Sequence, residues 1–367
     1  MEVFGCKLVL LATDAVLLGL AAALAAYARC AARTPALAAK WRRVLSARTA
    51  VACAAALSIF FALALADSVH LRPRLDAAAF STKTVSLLDV CLAGRIAGLE
   101  RSYSAPFALR EFDKSAGPAS PAREFARLRG AGLGVPDEGH AAAVARDAAL
   151  GCAAGLGAAA ALAAAVTAAL ALRRRRGLAE AWRSWSARAN PWRPALFVWL
   201  AAAFAAGWLA AVWPHWHVLG TDATGNDVLY TALKSVRTAM AIGLLATLCT
   251  LPFAVTLGIA AGYFKGWVDD AVQYVYTTIS SIPSVLLLAA SALMIQVFID
   301  KNPQFWETGL ERADARLFLL SLISGVTGWA GLARLLRAET LKVSAMDYVT
   351  AARAFGAGPF AIMARHV

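Results

Sequence analysis

The stretch ALGCAAGLGAAAALAAAVTAALALRRRR, Ala149 to Arg176, decides the fold class. An uncharged run long enough to cross a hydrocarbon core about 30 Å thick ends in four consecutive arginines. A helix on the surface of a soluble protein keeps a polar face toward water. This run offers only Cys152 and Thr167 for that purpose. It reads as a transmembrane helix that leaves the bilayer on the cytoplasmic side, where arginine gathers beside spans.

Six more runs read the same way, at roughly 8–28, 49–66, 195–213, 236–262, 271–299 and 316–334. The composition agrees. The 367 residues are 60% hydrophobic and 16% charged, against about 45–50% and about 25% in a soluble domain. The expected fold is all-α, a polytopic transmembrane helical bundle with about seven spans.

The net charge is +13. The excess sits in two clusters beside apolar runs: Arg29, Arg33, Lys40, Arg42, Arg43 and Arg48, then Arg173 to Arg176, Arg183, Arg188 and Arg193. That placement is an orientation signal for a lipid bilayer, not a footprint for nucleic acid, so no nucleic-acid partner is expected. With the N-terminus outside, the first helix enters the cytoplasm, the second returns, and residues 67–147 form an external segment. That segment is either a small folded cap or a loose loop. Ala26-Tyr27-Ala28 fits a signal-cleavage site, but no basic region precedes the first run, so a retained helix is expected. The six cysteines show no metal-ligand spacing. Gly151/Gly155 and Gly258/Gly262 show GxxxG spacing. In sequence this rich in alanine, the expectation is chance composition. The chain divides into 1–190, with three spans and the external segment, and 191–367, where specific motifs appear.

Three features in the second part carry information. GTDATGND, Gly220 to Asp227, has turn chemistry, and Asp227 is placed to cap a following helix. A metal site from Asp222, Asp227, His215 and His217 is the weaker reading, since nothing fixes ligand geometry. Pro252 and Pro283 lie in or beside apolar runs and should kink helices. Ser280 and Ser281 could re-satisfy a freed carbonyl or line a polar path. The third is the stretch Arg337 to Val367, RAETLKVSAMDYVTAARAFGAGPFAIMARHV, which reads as a cytoplasmic helix–turn–helix. Asp347 opens one helix, Gly356 ends it in a positive-φ turn, and Pro359 starts the next. Phe360 and Met363 share a stripe, with Arg365 on another.

YVTAARAFGAGPFAIMARHV resembles the EAA loop of ABC importer permeases, with Ala351, Ala352 and Gly356 at the expected spacing. Thr350 stands where that loop has glutamate, so it supplies no carboxylate to a partner. GTDATGND is similar to the GTDxxGRD signature of the dipeptide, oligopeptide and nickel subfamily, with Asn226 in place of arginine. The signature residues are Gly220, Thr221, Asp222, Gly225 and Asp227. GYFKGWVDD, Gly262 to Asp270, and Ser281-Ile282-Pro283 also resemble that subfamily. The likeness covers about 195–367 and is of the C-subunit type. Residues 1–190 look like an extension found on some members.

The resemblance implies a permease subunit of an ATP-driven importer for peptides or related small solutes, not an enzyme. The implied partners are a second permease subunit, two ABC ATPase subunits and a periplasmic substrate-binding protein. ATP would be bound by those ATPases. This chain has no GxxxxGK[ST] loop and is expected to hold no cofactor. Thr350, Ala351, Ala352, Gly356 and Pro359 would carry the coupling. The rival readings are an ion-coupled secondary transporter, for which the one acid seen well inside a span is Asp14, and a non-transporting membrane scaffold. The family's EAA loop lies between spans, and here the sequence stops inside its second helix. The expectation is therefore a fragment, with Leu-Pro and further spans to follow.

Overall fold

The computed structural model describes residues 2–3, 6–73, 84–92, 100–117, 120–175, 177–306 and 308–365. Arg176 of the arginine run, Pro118 of the external segment and the terminal Val367 lie outside the described residues. Among the described residues, seven helical stretches are long and apolar enough to cross a membrane, as the hydropathy pattern requires. The chain forms two compact units, one of Met1–Val9 and Leu18–Thr238, the other of Leu10–Leu17 and Ala239–Val367. The compositional boundary near 190 therefore falls inside the first unit.

The first unit starts with β1 (Glu2–Val3) and β2 (Cys6–Val9). Then come α1 (Ala12–Arg33), α2 (Pro35–Val44) and α3 (Arg48–Asp67). The described residues of the segment expected outside form a small folded layer. It contains β3 (His70–Pro73), β4 (Val85–Ser86), α4 (Leu87–Cys91), and the hairpin β5 (Arg110–Gly117) and β6 (Ser120–Arg127). β1 to β4 form one antiparallel sheet in chain order, with Val9 opposite His70 and Leu71 opposite Val85. Ser86 and Asp89 start α4 with a capping box. The long α5 (His140–Arg174) follows, then α6 (Leu178–Ser186), α7 (Arg193–Val212) and the beginning of α8 (Val228–Phe264). Leu109, Val212, Trp213, Trp216 and Val218 form the buried core where this layer meets the helix ends.

The glycine pairs are packing devices, which corrects the reading of chance composition. A Cβ on Gly151 would stand 2.6 Å from Cγ2 of Val212, and one on Gly155 2.7 Å from the Phe204 carbonyl oxygen. From the facing side, a Cβ on Gly207 would lie 2.8 Å from the Ala154 carbonyl oxygen. α5 and α7 thus approach backbone to backbone, which only small residues permit. Gly258 and Gly262 do the same for α8 in the second unit, against the carbonyls of Ala333 and Arg337 at 2.8 Å each.

The second unit continues with α9 (Gly266–Ser280), α10 (Ser284–Lys301), α11 (Gly309–Gly328), α12 (Ala330–Ser344), α13 (Asp347–Ala354) and α14 (Pro359–Arg365). The single run expected at 271–299 is two helices. Pro283 cannot donate to the Ile279 carbonyl, which instead takes the Ile282 amide at 3.3 Å in a closing turn. The sixth span is α10 alone. Pro252, by contrast, stays within the continuous α8. Residues 6–9 pair as a strand, so the first helix starts at Ala12 and not near residue 8. Asp14 accordingly sits in the first turn of α1, fully buried, and not well inside the span. That turn is capped across the fold: the Thr13 amide donates to Asp314 Oδ2 at 3.2 Å, and its hydroxyl donates to Oδ1. Ala254, Tyr276, Trp329, Ala330 and Ala333 make this unit's buried cluster.

Candidate functional site

In the first unit, the loop Gly220–Asp227 turns twice through left-handed backbone, at Gly220 (φ +74°) and Gly225 (φ +77°). Both positions exclude a side chain as well. A Cβ would fall 2.2 Å from the Ser104 carbonyl oxygen and 1.8 Å from that of Glu100. Asp222 closes the loop on itself, its Oδ1 accepting from the amides of Thr224 and Asn226 at 2.9 Å each. Burial pushes its carboxyl up, but the Asn226 and Thr224 donors outweigh this and hold it below the ordinary value. Thr221 donates its hydroxyl to the Ser102 carbonyl at 2.8 Å.

Asp227 caps α8 as its position suggests, Oδ1 accepting the Tyr230 amide at 3.1 Å. Its other oxygen has a role that the sequence does not reveal. Oδ2 accepts from the Trp213 indole at 3.0 Å and lies 2.7 Å from Nδ1 of His217. Across the ring, Nε2 of His217 is 3.3 Å from Oε1 of Glu100. Glu100 also accepts the Arg129 and Gly130 amides at 2.8 and 2.5 Å. A buried imidazole thus stands between two buried carboxylates. Burial raises both acids, but His217 with the Trp213 and backbone donors prevails and keeps Asp227 and Glu100 below their ordinary values. The contacts of these groups are structural. His215 is exposed, and among the described residues no group of three His, Cys, Asp or Glu side chains is placed to hold a metal. The histidine, directly after Trp216, one turn past Trp213 and ten residues before a capping aspartate, was the only hint in the sequence.

In the second unit, the hairpin has the expected helix–turn–helix form. Gly356 adopts φ +82°. Its amide donates to the Arg353 carbonyl at 3.0 Å, and the Ala357 amide to that of Ala352 at 3.1 Å. These are the two bonds of a Schellman closure, which requires a left-handed residue after the helix. A Cβ on Gly356 would meet nothing within 4 Å, so only backbone conformation dictates glycine here. Pro359 takes the first position of α14. Asp347 is the first residue of α13 but makes no side-chain cap, the cap position being Met346.

The buried stripe of the hairpin is Val349 and Ile362, not Phe360 and Met363. Phe355, at the turn, is 92% exposed and Phe360 78% exposed. Thr350 and Ala351 are exposed, and Ala352 is half-buried. Thr350 turns its hydroxyl back to the Met346 carbonyl at 3.4 Å. Behind the hairpin, Arg337 of α12 grips Asp269 of α9, with Nε–Oδ1 and Nη2–Oδ2 both 2.5 Å. Arg353 stacks on Tyr263, 5.2 Å from the ring centre, and Phe360 meets Phe264 edge-on at 6.4 Å. Ser281 donates its hydroxyl to Thr278 at 2.7 Å as α9 ends, and Ser280 accepts from Arg334 at 3.3 Å. Neither serine takes up the carbonyl freed by Pro283.

Residues 254–367 match the family described as binding-protein-dependent transport system inner membrane component. The chain is 34% identical over 149 residues to the inner membrane ABC transporter permease protein YejE of Escherichia coli K12, covering 41% of this chain and 38% of that one. It is 28% identical over 154 residues to the glutathione transport system permease protein GsiD of Pectobacterium atrosepticum, covering 42% and 44%. It is 28% identical over 153 residues to the oligopeptide transport system permease protein OppC of Mycobacterium tuberculosis H37Rv, covering 42% and 46%. The chain spans less than half the length of the curated relatives it matches.

Proposed function

We propose, from the match of residues 254–367 to the binding-protein-dependent transport system inner membrane component family and from the apolar helices of a multi-pass inner-membrane protein, that the chain is a permease subunit of an ATP-driven importer. The substrates proposed are peptides or related small solutes. The partners proposed are a second permease subunit, two ABC ATPases and a periplasmic substrate-binding protein. Residues 191–367 would hold the transport domain and 1–190 an N-terminal membrane extension.

The observation that carries the reading is the Schellman-closed hairpin inside the matched segment, with Phe355 held out at its tip. A short rigid hairpin with an exposed aromatic is suited to a hydrophobic groove on a partner. Its stalk, α12, is tied to α9 by the Arg337–Asp269 fork. ATP-driven closure of the partner would pull the hairpin as a rigid body, and helices fixed to it would change the access of the path. The signature loop takes no part in chemistry; it fixes the start of α8. The family match favours neither an ion-coupled transporter nor a scaffold.

The test is uptake of a labelled oligopeptide by cells expressing the chain with its genomic neighbours. Uptake is expected to stop when ATP is depleted and the proton gradient is kept. Uptake that persists under those conditions would refute the ATP-driven reading.

A further inference from the structure

The first unit contains a cavity of about 640 Å³ between α3, α5, α6 and α7. Its walls come from one face of each spanning helix at helical spacing: Val51, Ala54, Ala55 and Ser58 on α3, Val166 and Leu170 on α5, Leu196 and Trp199 on α7. These are the last turns of α5 and the first turns of α3 and α7, so the cavity lies at one end of the bundle. Its mouth is marked by Arg173 and Arg174, both exposed, and by the half-exposed Trp192. The floor of the mouth is fixed. Trp185 of α6 is 6% exposed and donates its indole N–H to Thr167 of α5 at 3.0 Å.

We propose that this cavity binds an anionic phospholipid, with its headgroup on Arg173 and Arg174 and the upper part of an acyl chain in the apolar slot. Three features favour that occupant. The interior is apolar for about two helical turns below the arginines, or ~10 Å at 1.5 Å per residue, so a small anion alone would leave it unfilled. The tryptophans sit where aromatic side chains mark the headgroup level of a bilayer. Among the described residues neither Arg173 nor Arg174 forms an ion pair, so their charge is free for a phosphate. The inference is independent of what the protein transports.

The test uses the full chain reconstituted in phosphatidylcholine vesicles. Brominated phosphatidylglycerol or brominated phosphatidylcholine is added at equal mole fraction, and tryptophan quenching is measured. The share from the pocket is the part lost in Trp192→Phe/Trp199→Phe. We expect about a tenfold preference of that share for the anionic lipid. The preference should be abolished in Arg173→Gln/Arg174→Gln and retained in Arg173→Lys/Arg174→Lys, with unchanged far-ultraviolet circular dichroism in both. Equal quenching by the two lipids would reduce the site to ordinary boundary lipid and overturn the proposal. So would displacement of the anionic lipid by millimolar inorganic phosphate, since the site would then select a small anion.

Discussion

Arg337 and Asp269 form a two-point fork between α12 and α9, Nε–Oδ1 and Nη2–Oδ2 each 2.5 Å. The guanidinium hydrogen bond dominates the surroundings of Asp269 and holds its carboxyl below the ordinary value, against the opposing effect of burial. Both side chains are less than a third exposed, at 28% and 14%, so water screens the pair only in part. A lysine ammonium reaches one oxygen as a point charge and cannot reproduce the fork. Arg337→Lys is expected to cost about 1–2 kcal/mol, read as a lower melting temperature of the detergent-solubilised protein. An unchanged melting temperature would remove this pair as the clamp of the hairpin stalk.

Gly356→Val should strain the turn at φ +82° by about 1–2 kcal/mol. Because nothing crowds the position, the effect should be confined to the hairpin. The expected outcome is loss of ATP-driven uptake with little change in overall melting temperature, and a milder loss for Gly356→Asn. Thr350→Glu points into solvent and should leave uptake intact. Wild-type uptake in Gly356→Val would separate the hairpin from coupling.

The cluster Glu100–His217–Asp227 predicts a direction in pH. Both acids titrate below their ordinary values in the fold. Their contribution is fully present above the unfolded values near 4 and is lost as pH falls through the lower folded ones. Unfolding of the external layer, followed by tryptophan emission, should steepen below about pH 4. His217→Leu leaves two buried carboxylates without their shared partner. It should cost about 3–5 kcal/mol at neutral pH, and because both acids lose the donor that lowers them, the further loss of stability on acidification should shrink. An acid-induced loss in that variant as large as in the parent protein would contradict the assignment.

Helix approach gives a fourth kind of test. Gly155→Leu must push aside the Phe204 backbone, whose carbonyl would lie 2.7 Å from the new Cβ. Gly157 has nothing within 4 Å and serves as control. The expected loss is about 1–3 kcal/mol at Gly155 and almost none for Gly157→Leu, compared by thermal unfolding in the same detergent.

Orientation is open to labelling. Glu100 is buried and would be a poor reporter for the external segment, whereas Phe112 is 72% exposed. In intact spheroplasts Phe112→Cys should react with an impermeant thiol reagent and Arg174→Cys should not. The reverse pattern would invert the topology.

The run from Ala149 to Arg176 needs no structure to be a span, because hydrocarbon leaves a chain no partner for its backbone except its own helix. The turn at Gly356 and the proline at 359 were equally plain, since each residue's backbone restriction acts locally. The cap at Asp227 was local as well. What the sequence could not reveal depends on residues distant along the chain. Glu100 meets His217 only because the loop at Gly225 brings the two segments backbone to backbone. Asp314 accepts from Thr13, 301 residues earlier in the chain, in the first turn of α1. Whether GxxxG is a motif or mere composition depends on what faces it, and here the facing backbone at Phe204 and Ala333 decides. The tertiary structure also chose Ile362 over Phe360 for burial, because the helical stripe is set by the neighbour it packs on and not by which residue is larger.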